Sequence, residues 1–77
     1  MTTKLYPQAI KEMAYAARFP GTKGYGGITV DTPEYAKDTA QEVAKWIRKG
    51  ATIEHVSVNK AIAGMLKYVV WKRGQKE

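Results

Sequence analysis

The chain has 77 residues, 44% of them hydrophobic and 26% charged, with a net charge of +6 and no cysteine. This length gives one small domain, the composition is that of a globular chain, and a disulfide scaffold or thiolate metal site is excluded. Residues 1–44 are electrically balanced, so the whole excess of +6 lies in residues 45–77. A positive field concentrated on one part of a fold attracts nucleic acid, an acidic protein or an anionic surface.

No apolar run reaches the roughly 20 residues that cross a bilayer. Met1-Thr2-Thr3-Lys4 leads into an amphipathic segment instead of the apolar stretch of a signal peptide. These features, with the absence of cysteine, give the expectation of a cytoplasmic protein without a membrane role. A core this small supplies about 3–5 kcal/mol unaided, which makes a homodimer the expected state.

In chain order, Tyr6, Ile10, Met13, Ala14 and Ala17 recur at helical spacing, and Pro7 suits a first helical position. A first helix is therefore expected from about Pro7 to Arg18. Four glycines and a proline between Phe19 and Gly27 end it in turns. Ile28-Thr29-Val30 is a β-favouring triplet, enough for a short strand.

A second helix is signalled by Asp31 or Thr32 as cap, Pro33 at N1 and Glu34 in the first turn. It should run to Lys49 with Gly50 just past its end, turning Ala36, Thr39, Ala40, Val43, Trp46 and Ile47 inward. Ala51 to Val56 reads as an extended connector or a second short strand. A third helix is expected from a Ser57 cap to Gly74, burying Val58, Ile62, Met65, Leu66 and Val69. The fold class that follows is mainly α: three helices, with a short strand or extended segment between the first and second.

Lys60, Gly64, Lys67 and Trp71 fall on the other face of that third helix, a large aromatic among lysines beside a glycine. Such a face suits a partner, with Trp as anchor and lysines on phosphates or carboxylates. Gly21 to Gly27 invites a phosphate cradle around Lys23, or a partner-contacting loop with Tyr25 at its tip, though it is no Walker motif. His55 is the sole histidine, so two-histidine metal sites are excluded. With Ser57 needed as a cap, no nucleophilic triad assembles locally, and neither an enzyme, a metal nor a cofactor is expected.

Ser57-Val58-Asn59 opening the last helix, Ile62, Leu66 and Val70 along it, and Gly74 closing it resemble the ribbon-helix-helix repressors over residues 26–74. That resemblance implies strands of two chains paired into a ribbon that enters the major groove. Gly27, Thr29 and Asp31 would then face the groove, Ile28 and Val30 the core, and Ser57 to Asn59 would clamp a phosphate. The extra N-terminal segment and the longer connector depart from the family.

The expected function is that of a non-catalytic basic binding protein for nucleic acid. Its phosphate contacts would come from Lys45, Arg48, Lys49, Lys60, Lys67, Lys72 and Arg73, with Lys23 at the loop and Trp71 or Tyr25 stacking or wedging. The alternative is a stoichiometric inhibitor or adaptor of the phage or mobile-element type, such as a counter-defence or anti-CRISPR-like protein, docking on an acidic host protein. A sponge for a small anionic nucleotide is a third option.

Overall fold

The computed structural model describes residues 12–75. Strands β1 (Met13–Arg18), β2 (Gly27–Val30) and β3 (Thr52–Ser57) form an antiparallel sheet in the order β2-β1-β3. A single 3-10 turn (Pro33–Tyr35) leads into helix α1 (Ala36–Arg48), and helix α2 (Val58–Gln75) follows β3 directly.

The largest correction to the sequence reading lies at β1. Residues Met13–Arg18, expected to end a first helix, are the central strand, and Pro7 to Lys11 of that expected helix lie outside the described residues. Over the described residues the fold is therefore a three-stranded antiparallel sheet with two helices, not the mainly α arrangement expected. Alanine prefers a helix by well under 1 kcal/mol per residue, and burial overrides that preference. Ala14, Ala16 and Ala17 are almost fully buried in the middle of the sheet, where small side chains let both faces be covered closely.

The register sorts the side chains, because directly opposed residues share a face. Met13, Tyr15 and Ala17 lie with Asp31, Thr29 and Gly27 on one side and with Ser57, His55 and Ile53 on the other. This face meets α1: a Cβ on Gly27 would strike the Trp46 ring, and Tyr15 lines a groove with Thr39, Val43 and Ile47. Ala14, Ala16 and Arg18, with Ile28, Val30, Thr52, Glu54 and Val56, form the opposite face under α2. The ribbon-helix-helix arrangement of the C-terminal part is thereby corrected. The Ile28–Val30 strand pairs with the chain's own β1, and Gly27 and Asp31, placed on a groove-reading face by the resemblance, lie on the face that α1 covers.

The sequence signals at α1 place its ends well. Pro33 and Glu34 open the 3-10 turn, without a side-chain cap from Thr32. Lys49 closes the helix, and Gly50 follows at φ +93°, the left-handed conformation glycine adopts without strain. Thr39 is buried and its hydroxyl donates to the Val30 carbonyl at 3.1 Å, tying α1 to β2. Ala51 to Val56 resolves into β3, and Ser57 caps α2, its Oγ accepting from the Lys60 amide at 3.2 Å. Helix α2 runs through Gly74 to Gln75 instead of stopping at the glycine.

Helix α2 also lies on its other face. Ala61 is its one buried residue, and Ile62, Met65, Leu66 and Val69, expected inside, are exposed. Two close approaches explain the rotation. A Cβ on Gly64 would overlap the Tyr25 ring, and one on Gly24 would overlap the Gly64 carbonyl. Small residues at 61 and 64 let the helix settle on the loop before β2, and the Tyr25 amide donates to the Gly64 carbonyl at 2.9 Å.

Candidate anion-binding surface

The contact between that loop and α2 generates a site rich in charged side chains. Gly24 at φ +78° turns the chain so that Tyr25, only 2% exposed, lies under Gly64. The Tyr25 hydroxyl then donates to Glu54 Oε1 at 2.6 Å, and Arg18 Nε donates to Glu54 Oε2 at 2.8 Å. The Arg18 guanidinium also stands 5.0 Å from the centre of the Tyr25 ring, a cation–π distance.

Each group's ionisation follows from this geometry. The Arg18 hydrogen bond, then that of Tyr25, holds the Glu54 carboxyl below its ordinary range. The bond to Glu54 pushes Arg18 further up. Burial first, and Glu54 second, push the Tyr25 phenol up. The trio is a carboxylate anchoring one guanidinium and one neutral phenol.

Around it opens a cavity of about 240 Å³ lined by Arg18, Gly24, Tyr25, Lys60, Ala63, Gly64 and Lys67. Lys60 and Lys67 lie two helical turns apart on one flank of α2, and among the described residues neither is in a salt bridge. Three cations from two elements thus converge on a site whose one carboxylate is already held by Arg18 and Tyr25. The cavity is small for a drug-sized molecule and wide enough for a phosphate or carboxylate group.

Lys60, Lys67 and Tyr25, singled out from sequence, therefore come together, but Tyr25 is a buried part of the wall and has no free ring face for stacking. Gly64 is here as a packing surface. Arg18 was missed because it was read as the end of a helix. The signal that could have found it is the alternation Ala14, Ala16, Arg18, which puts the arginine on the same strand face as Glu54.

The other expected contacts are dispersed. Lys45 pairs with Glu42 at 3.7 Å on α1, and Arg48 and Lys49 end that helix across the sheet. Trp71 is half-buried and stacks on Tyr68 at 5.7 Å, with the Lys72 ammonium 5.8 Å from the Tyr68 ring. Arg73 is exposed in the last turn of α2, and Lys23 is exposed in the loop beside Gly24.

Much of the glycine-rich loop is committed to packing. The amides of Thr22, Tyr25 and Gly26 already donate to Phe19, Gly64 and Ala17, and a Cβ on Gly26 would strike the Phe19 ring. In the clamp expected at Ser57 to Asn59, one donor is already spent, the Val58 amide on the Glu12 carbonyl, and the Ser57 hydroxyl oxygen accepts from the Lys60 amide.

On the α1 side, a groove of about 400 Å³ lies between Tyr15, Asp31 and the alanine-rich inner surface of the helix. Its polar edge is the hydrogen bond from His55 Nε2 to Asp31 Oδ2 at 3.0 Å, with the His55 ring 4.7 Å from that of Tyr15. Ser57 makes no hydrogen bond to His55 there. Among the described residues no group of acidic and histidine side chains could hold a metal ion, and no helix is long and apolar enough to cross a membrane. No family model, curated protein or solved structure matches the chain.

Proposed function

We propose that this is a non-catalytic basic binding protein that engages nucleic acid through phosphate contacts made by Lys60, Lys67 and Arg18. The observation that carries the reading is the convergence of these cations on one cavity, on a helix that contains no acidic residue. Contacts to phosphates set position and affinity and carry no sequence information directly, so binding through them is expected to be weakly sequence-selective. Arg18 is preoriented by Glu54 and Tyr25, which lowers the entropy lost when it meets a phosphate.

A second reading draws on the exposed apolar flank of the same helix: a stoichiometric inhibitor or adaptor docking on an acidic host protein. Its charges would steer association while apolar contacts supplied affinity.

Titration of a labelled duplex of about 30 base pairs, followed by anisotropy at several salt concentrations, separates the two. The nucleic-acid reading predicts micromolar or tighter binding at low salt with a steep negative salt slope. An absence of binding at low salt refutes it and turns attention to acidic proteins.

A further inference from the structure

Ile62, Met65, Leu66, Val69 and Val70 are all exposed, Leu66 at 58% and Val70 at 70%. At about 100° per residue they occupy one flank of α2, beside the Ala61–Gly64–Tyr68 surface that meets the rest of the fold. Lys60 and Lys67 lie on the far side of that surface. The flank is therefore an apolar strip clear of the anion-binding cavity. Contiguous apolar patches of several hundred Å² are rare on monomers.

We infer that this flank is a homodimer interface, in which α2 packs antiparallel against α2 of a second copy about a two-fold axis at Leu66. The inference is independent of the nucleic-acid reading. Three observations select a second copy as the occupant.

The first is the imbalance of the core. Among the described residues the buried apolar ones are four alanines and Tyr25, none of the large side chains is fully buried, and the larger aliphatic side chains of α2 lie outside. Val30, Tyr35 and Ile47 are exposed elsewhere, but five of the eight exposed large hydrophobic residues among those described share this one helix, so pairing it covers the most apolar surface, and a second copy is always present at equal concentration.

The second is the spacing. Ile62, Leu66, Val69 and Arg73 are separated by four, three and four residues, the rhythm of a coiled-coil seam, with Met65 and Val70 beside it. Centred on Leu66, the strip is self-complementary: Ile62 of one copy lies beside Val70 of the other, as an isologous contact requires.

The third is charge. The same register carries Arg73 of the second copy to the N-terminal end of α2, beside Asn59. There the exposed Glu12 is held by the hydrogen bond from the Val58 amide to its carbonyl at 3.1 Å. Each end of the seam thus receives one opposite-charge pair. Two paired helices of this length cover about 1,000–1,200 Å² in total, where specific interfaces begin.

The test is sedimentation equilibrium of the full chain from about 1 to 100 μM, with oxidation of a Leu66→Cys variant, the chain having no cysteine of its own. The expected result is a concentration-dependent dimer, and a Leu66–Leu66 contact that converts to a disulfide-linked dimer in Leu66→Cys but not in Gln41→Cys on the outer side of α1. Leu66→Lys should give a folded monomer. Arg73→Glu should weaken the dimer at least several-fold, and Glu12→Arg combined with it should restore the dimer. A chain that stays monomeric throughout, a dimer that survives Leu66→Lys, or a failure of Leu66→Cys to cross-link would overturn the inference. A monomer whose flank instead titrates an acidic protein would do the same.

Discussion

Replacing Gly64 by alanine sets two effects against each other, and the geometry of α2 decides which wins. In an exposed helix interior the change gains about 1 kcal/mol, because glycine loses more backbone entropy on folding. Here the new Cβ would overlap three atoms of the Tyr25 ring. That ring cannot easily retreat. Its residue is 2% exposed, its amide is bonded to the Gly64 carbonyl at 2.9 Å, and its hydroxyl is bonded to Glu54 at 2.6 Å. Overpacking a site of this kind costs about 1–3 kcal/mol and more where the neighbour is fixed. The expected net effect is a destabilisation of about 1–2 kcal/mol. For a domain of this size that is a fall in melting temperature of about 5–15 °C, read by circular dichroism. Gly74→Ala is the internal control: no atom lies within 4 Å of its Cβ position, so it should leave stability unchanged or raise it slightly. A Gly64→Ala variant that melts higher than the parent would show that α2 does not rest on Tyr25, and the anion cavity would have no basis.

Other consequences of the same contacts are measurable. Tyr25→Phe keeps the buried ring but removes the bond to Glu54, and should lower stability by about 1 kcal/mol in urea unfolding, since one hydrogen bond to a carboxylate is lost at a partly exposed site. Glu54 is held below its ordinary value of 4.5, so its contribution is complete above that pH and is lost as pH falls through the lower folded-state value. Tyr25 is raised above 10.0, so its contribution is complete below that pH and is lost as pH rises through the folded-state value. Melting temperature should accordingly fall at both extremes, and Glu54→Gln should flatten the acid limb. An unchanged acid limb in that variant would remove Glu54 as its origin. Gly27→Ala should destabilise by about 1–3 kcal/mol through the Trp46 ring, testing the opposite face of the sheet.

What the sequence reveals and conceals here has a common cause. The turn and cap signals are local, and they place β2, the start of α1, the glycine at residue 50 and the Ser57 cap. The two corrections come from residues whose roles are non-local. An alanine-rich stretch is a helix by propensity, and it is the central strand only because β2 and β3 pair with it from either side. The third helix presents two plausible inner faces, one larger and apolar, one containing Ala61 and Gly64. Side-chain hydrophobicity favours the first, while close backbone approach, which depends on a loop some 40 residues earlier, selects the second. The same inversion hides half of the candidate site. Lys60 and Lys67 are legible as a basic face, whereas Arg18 and Glu54 join them only through the register of β1 with β3.

The central claim is that Lys60 and Lys67, not the basic charge at large, carry the interaction with nucleic acid. Comparing the salt dependence of duplex affinity for the parent, Lys60→Glu/Lys67→Glu, and Lys45→Glu/Arg48→Glu on α1 tests it most directly. The account predicts that the α2 pair loses affinity at all salt concentrations and reduces the slope of log affinity against log salt by about 2, one for each phosphate contact removed. The α1 pair, of identical charge change, should shift the curve only modestly. Equal effects from the two variants would mean that total charge, and not this surface, governs binding, and would contradict the account.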